Sequence, residues 1–136
     1  MDGIAQLKPV SILGVTGSIG QQTMDVAERL RIQVAGIAAY HGSEALLASA
    51  RRLPAARVVV AGPTDDEVAR FRAELGGRVA FGQEALLELA ATADTIAING
   101  IVGVAGLAPT VAALEAGNRV ALANKESLVA GGPVVV

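Results

Sequence analysis

The 136-residue chain contains no cysteine and a single histidine, His41. Disulfides, thiolate metal sites and a cysteine nucleophile are thereby excluded, and no histidine-rich metal site can be built within one chain. Tryptophan is absent, and aromatics make up only 2% of a sequence that is 52% hydrophobic. A core large enough for one domain must therefore be filled by Ala, Val, Leu and Ile. No excess of one charge sign exists either: 11 basic and 13 acidic residues leave a net charge of −2. That balance provides no basic face for nucleic acid. Polar or turn residues interrupt every apolar run before the ~18 residues of a membrane span. The opening "MDGIAQLKPV" lacks a basic region followed by an apolar one. No secretory leader is expected, and a soluble cytoplasmic protein is the default. Lysine is scarce as well, with only Lys8 and Lys125 among the basic residues. Lys125 is therefore not simply this chain's habitual surface cation.

Strand-like and helix-like segments alternate. Short apolar runs at 9–15, 33–40, 56–62, 78–82, 94–100 and 119–124 read as strands. Between them, 18–31, 43–53, 63–77, 83–92 and 106–118 carry helical spacing. Ser43 and Thr64 stand where N-caps belong, acids follow Thr64, and Pro54, Gly76–Gly77 and Gly117–Asn118 mark stops. Strands separated by helices indicate βαβ units with right-handed crossovers. The expected fold is a doubly wound, mostly parallel α/β domain with helices on both faces.

"GVTGSIG" places Gly14, Gly17 and Gly20 between the first strand and the first helix. The pattern is a variant of the dinucleotide fingerprint. Glycine permits the tight turn and lets backbone approach a diphosphate, and the helix N-terminus offers amides to its oxygens. Thr16 and Ser18 add hydroxyls beside those amides. An NAD site usually places a carboxylate at the tip of the second strand, about 20 residues on, to hold the ribose. Here the tip reads Ala39, Tyr40, His41, Gly42, Ser43. Without a carboxylate there is no repulsion against a 2′-phosphate, and His41, Ser43 and the backbone near Gly42 could donate to one. This favours NADP over NAD.

The sixth apolar run ends in "ALANKESL", which sets an amide, an ammonium and a carboxylate side by side at 124–126. In an open parallel sheet, ligands bind beyond the carboxyl ends of the strands. Asn124, Lys125 and Glu126 are expected there, facing the same crevice as the glycine turn and the segment "INGIVGVAG" (98–106). Capping and first-turn electrostatics also fit Asn124 and Glu126. They do not fit Lys125, a cation at the positive end of a helix.

"ILGVTGSIG", "INGIVGVAGLAPTVAALEAG" and "ALANKESLV" closely resemble the amino-terminal domain of 1-deoxy-D-xylulose-5-phosphate reductoisomerases. The likeness runs from about Val10 to Val129. It implies a Rossmann-like domain, NADPH as cofactor, and a divalent metal, Mg²⁺ or Mn²⁺. The implied reaction is rearrangement and reduction of 1-deoxy-D-xylulose 5-phosphate to 2-C-methyl-D-erythritol 4-phosphate, in the non-mevalonate route to isoprenoids. Members are typically homodimers inhibited by fosmidomycin. Carried over by position, the resemblance implies cofactor contacts at Thr16, Gly17, Ser18, Ile19, Asn124 and Glu126. Lys125 would contact substrate and take the direct part in catalysis. Ala39, Tyr40 and His41 occupy the family's 2′-phosphate position, where a glycine, a basic residue and an asparagine are usual.

Family chains are much longer, and their metal-binding acids follow the point where this sequence ends. The chain is therefore expected to be a truncated NADPH-binding domain over 1–136, with metal ligands elsewhere and no turnover of its own. Two other readings stand beside this one. One is the half-domain of another NAD(P)-dependent dehydrogenase, of homoserine or aspartate-semialdehyde type. The other is a stand-alone nucleotide-sensing module.

Overall fold

The computed structural model describes residues 8–122. Six strands alternate with five helices: β1 (Val10–Leu13), α1 (Ser18–Leu30), β2 (Val34–Ala39), α2 (Glu44–Arg52), β3 (Arg57–Val60), α3 (Asp65–Leu75), β4 (Val79–Phe81), α4 (Gln83–Ala90), β5 (Ile96–Asn99), α5 (Leu107–Glu115) and β6 (Arg119–Leu122). All neighbouring strands pair in parallel, in the order β4-β3-β2-β1-β5-β6. The expected doubly wound α/β fold is the one observed.

The helix boundaries follow local chemistry. Ser43 caps α2 by accepting from Leu46 N, and Thr64 and Glu67 form a capping box at α3. Gly76, with φ of +59°, ends α3. Arg31 ends α1 in the left-handed region, at φ 58°. The carbonyls at the carboxyl end of α2 have a partner from outside the helix. Arg78 donates to Ala50 O (2.7 Å), Leu53 O (3.0 Å) and Ala56 O (2.6 Å).

Two hydrophobic layers sandwich the sheet, and side-chain alternation sorts residues between them. Ile12, Ile37, Val58 and Val60 face the layer that contains Met24, Leu46, Leu47 and Phe71 from α1–α3. Leu13, Ala38 and Val59 face Leu86, Leu89, Ala90 and Ala113 from α4 and α5. Right-handed crossovers explain the sorting. The chain steps from β1 to β4 in one direction with its helices on one face. It returns across the sheet to β5 and then steps the other way, so α4 and α5 lie on the opposite face.

Candidate cofactor site

The reversal of direction falls between β1 and β5. Connections leaving these neighbouring strands diverge to opposite faces, which opens a crevice at their carboxyl ends. The glycine turn after β1 and the segment 100–106 after β5 border it. They touch: Gly14 has φ +80°, and a Cβ there would lie 3.0 Å from Gly100 C and 3.1 Å from Ile101 N.

The three glycines have different reasons to be glycine. Gly14 needs both its positive φ and the close approach of Gly100. At Gly20, inside α1, a Cβ would come within 2.6 Å of Val15 Cα and closer still to Gly14 O. Only glycine lets the helix sit this tightly on the turn. Gly17 is otherwise. A Cβ there would meet only Gly14 O, at 3.5 Å, an ordinary contact. Neither its φ of −76° nor its neighbours require glycine. Gly17 is also the N-cap of α1 and makes no side-chain capping bond. Bare backbone at the start of a helix, with room that the fold does not use, is what a diphosphate needs.

The opposite wall is held by Asn99, fully buried at the end of β5. Its Nδ2 donates to Gly106 O (2.8 Å) and Thr110 Oγ1 (2.6 Å), and its Oδ1 accepts from Ile101 N (3.0 Å). One side chain thus ties the strand, the segment 100–106 and the first turn of α5 together. Between the walls lies a cavity of about 410 Å³, bordered by Gly14, Thr16 and Gly17 on one side and by Gly100–Val102, Val104, Ala105 and Ala108 on the other. It continues past Ala38–Tyr40 to Ala61, Gln83 and Leu86. This volume and elongated outline suit a nucleotide.

Of the residues singled out in the sequence, Thr16, Gly17, Ala39 and Tyr40 line this cavity. Ser18 and Ile19 open α1 and are exposed, and His41 is exposed beyond the rim. The rings of Tyr40 and His41 meet edge to face, with centroids 4.8 Å apart. Asn124, Lys125 and Glu126 lie outside the described residues. Of the backbone near Gly42, the Gly42 amide itself is engaged within the protein: Gly42 N donates to Glu67 Oε1 (3.0 Å). Ser43 Oγ accepts from Leu46 N (3.2 Å) and keeps its own proton for donation. The amides of Gly42 and Thr64 hold the Glu67 carboxyl below its ordinary pKa, and His41 adds a smaller electrostatic contribution in the same direction.

Sequence reading passed over Asn99, Gln83 and Leu86. Asn99 was visible as a polar residue closing an apolar strand before glycine. Gln83 and Leu86 carry no local signal, because their place beside the cavity depends on α4 crossing the sheet. Among the described residues no grouping of three or more His, Cys, Asp or Glu could hold a metal ion.

The model of the 1-deoxy-D-xylulose 5-phosphate reductoisomerase family matches residues 10–132. The chain is 47% identical over 135 residues to the 1-deoxy-D-xylulose 5-phosphate reductoisomerase of Beutenbergia cavernae, covering 94% of this chain and 34% of that protein. The solved Zymomonas mobilis reductoisomerase in complex with NADPH superposes with a TM-score of 0.82 at 40% identity, covering 95% of this chain and 35% of that one. A second reductoisomerase structure, in complex with NADPH, fosmidomycin and magnesium, gives a TM-score of 0.80 at 33% identity, over 95% and 33% of the two chains. The sequence thus spans about a third of the length of these relatives. By its matched length and its identity to these proteins, the chain belongs to the 1-deoxy-D-xylulose 5-phosphate reductoisomerase family.

Proposed function

We propose that this chain is the NADPH-binding portion of an enzyme that rearranges and reduces 1-deoxy-D-xylulose 5-phosphate to 2-C-methyl-D-erythritol 4-phosphate. The observation that carries this reading is Gly17, a glycine whose Cβ position the protein leaves open at the N-terminus of α1, on the edge of a nucleotide-sized cavity. The NADPH bound by two related structures supports it over another dehydrogenase half-domain or a sensing module.

In this reading the backbone of Gly17, Ser18 and Ile19 and the hydroxyl of Thr16 hold the diphosphate. Ala39, Tyr40 and His41 border the adenosine ribose and its 2′-phosphate. When bound, NADPH supplies the hydride. Asn124 and Glu126 are cofactor contacts, and Lys125 contacts substrate and stabilises the charge that develops on its oxygen. The family resemblance places the ligands of its divalent metal, Mg²⁺ or Mn²⁺, beyond this stretch of chain, and in this reading the 136-residue chain alone has no turnover. From the family resemblance we place the enzyme in the cytoplasm as a homodimer. Among the described residues no helix is long and apolar enough to cross a membrane.

The test is a fluorescence titration of the chain with NADPH and with NADH. Wild type binds NADPH more tightly. Gly17→Val abolishes binding of both by obstructing the diphosphate, while its circular dichroism stays native-like. Equal affinity for the two dinucleotides, or undiminished binding by Gly17→Val, would contradict the reading. Turnover of the sugar phosphate by the same preparation would contradict the claim that the chain lacks a complete catalytic centre.

A further inference from the structure

The cavity beside the glycine turn does not end at the tip of β2. It runs on to Ala61, just past β3, and to Gln83 and Leu86 in the first turn of α4. Sheet order gives this extension a direction. Strands β1, β2 and β3 lie side by side, so from the β1 turn to the β3 tip is two strand spacings, about 10 Å. That is the reach of an adenosine from its 5′-phosphate. With the diphosphate at Gly17 and the ribose at the β2 tip, the base falls between Ala61 and the start of α4.

The chemistry at that end is sparse. Among the described residues the cavity is lined almost wholly by glycine and aliphatic side chains, and only Thr16, Tyr40 and Gln83 bring hydrogen-bonding side chains to it. Thr16 belongs to the phosphate end. Tyr40 is 65% exposed, and its ring lies over Gly62, where a Cβ would come within 2.6 Å of Tyr40 Cε1. Gln83 is held in place by backbone. Gly82 N donates to Val60 O (2.9 Å), anchoring the start of α4 beside β3, and Gly82 takes φ +102° to turn the chain into the helix. Leu86, one turn further along α4, lines the same wall, as residues three apart on a helix should. Among the described residues the Gln83 carboxamide has no hydrogen-bonding partner within the protein, so its donor and acceptor are free for a ligand.

We propose that Gln83 reads the edge of the cofactor's adenine, its carboxamide oxygen accepting from N6 and its NH₂ donating to N7, with Leu86 packed beneath the ring. A carboxamide matches that pair of adenine atoms bidentately. The proposal rests on the NADPH-binding reading above and deepens it: Gln83 makes the site selective for the base as well as for the phosphates.

Replacing the adenine by hypoxanthine, as in nicotinamide hypoxanthine dinucleotide phosphate, turns the N6 donor into an acceptor and sets two oxygens against each other. Binding of NADPH and of this analogue is compared by fluorescence titration and calorimetry, for wild type, Gln83→Met and Gln83→Ala. Wild type prefers the adenine form on the order of 10-fold. Both variants bind the two dinucleotides equally, at about the wild-type affinity for the analogue. Gln83 is exposed at the first position of a helix, so both substitutions keep the fold. If wild type binds both dinucleotides without preference, or the variants retain the preference, Gln83 does not read the base while the cofactor reading stands. Failure of wild type to bind either dinucleotide overturns both.

Discussion

At the scale of single residues, one glycine pattern does three jobs. From the sequence, Gly14, Gly17 and Gly20 share one explanation, a tight turn that lets backbone approach a diphosphate. The structure gives Gly14 and Gly20 packing reasons to be glycine and gives Gly17 none. The distinction was not legible beforehand, because it depends on Gly100 from a distant strand and on the pitch of α1 against the turn. It separates stability from binding. Gly20→Ala gains helix propensity, worth at most about 1 kcal/mol, but forces a methyl against the backbone of Gly14 and Val15. Overpacking of this kind costs about 1–3 kcal/mol, and backbone cannot swing aside as a side chain can, so the clash prevails. Gly17→Ala meets no such contact and loses less than about 1 kcal/mol, the difference between Gly and Ala at an N-cap. Urea denaturation should therefore show a lowered midpoint for Gly20→Ala and a near-native one for Gly17→Ala, with cofactor affinity reduced in the latter. Equal destabilisation of the two would mean that Gly17 is also a packing glycine.

At the scale of elements, helix starts were the most legible features, since Ser43 and Thr64 are local signals and both cap as expected. Less legible was what the caps do to the site. Glu67 completes the α3 capping box, and the same oxygen accepts from Gly42 in the loop after β2. The near neighbour of Gly42 is Phe71 of α3, whose ring would meet a Cβ at 2.8 Å. A partner 25 residues away leaves no trace in local pattern. The consequence is that α3 sets the position of Tyr40–Ser43, where the ribose 2′-phosphate is proposed to lie. Its signature is pH dependence. The folded pKa of Glu67 is depressed by its two backbone donors. Its contribution to stability is therefore complete above the ordinary carboxylate pKa and is lost as pH falls through the lower, folded value. Glu67→Gln should be less stable than wild type at neutral pH. The gap between the two melting temperatures should close on acidification through that window, whatever the other carboxylates contribute to both curves. A gap that stays constant with pH would show that the ionised carboxylate is not what holds the loop.

At the scale of the whole molecule, alternation predicted a parallel sheet, and right-handedness predicted helices on both faces. Strand order was beyond reach, because nothing local in 83–96 says that α4 crosses from the β4 edge to the far side of β1. That crossing creates the switch point and joins two halves of different character. The β1–β4 half carries the glycine turn, the β2 tip and Gln83. The β5–β6 half carries Asn99 and the segment 100–106, where Val102 and Val104 are 77% and 70% exposed. A dinucleotide lying along the cavity touches both halves, and its binding energy adds to the stability of the bound state as a whole. At 100 times Kd the gain is about 2.7 kcal/mol. The gain need not be spread evenly, because protection from hydrogen exchange reports each segment separately. On addition of saturating NADPH, amides at the start of α1 (17–19) and amides in 101–106 should both exchange more slowly, and melting should shift upward. Protection confined to 17–19, with 101–106 unchanged, would mean that the cofactor stops at the glycine turn and that the two halves of the sheet do not share it.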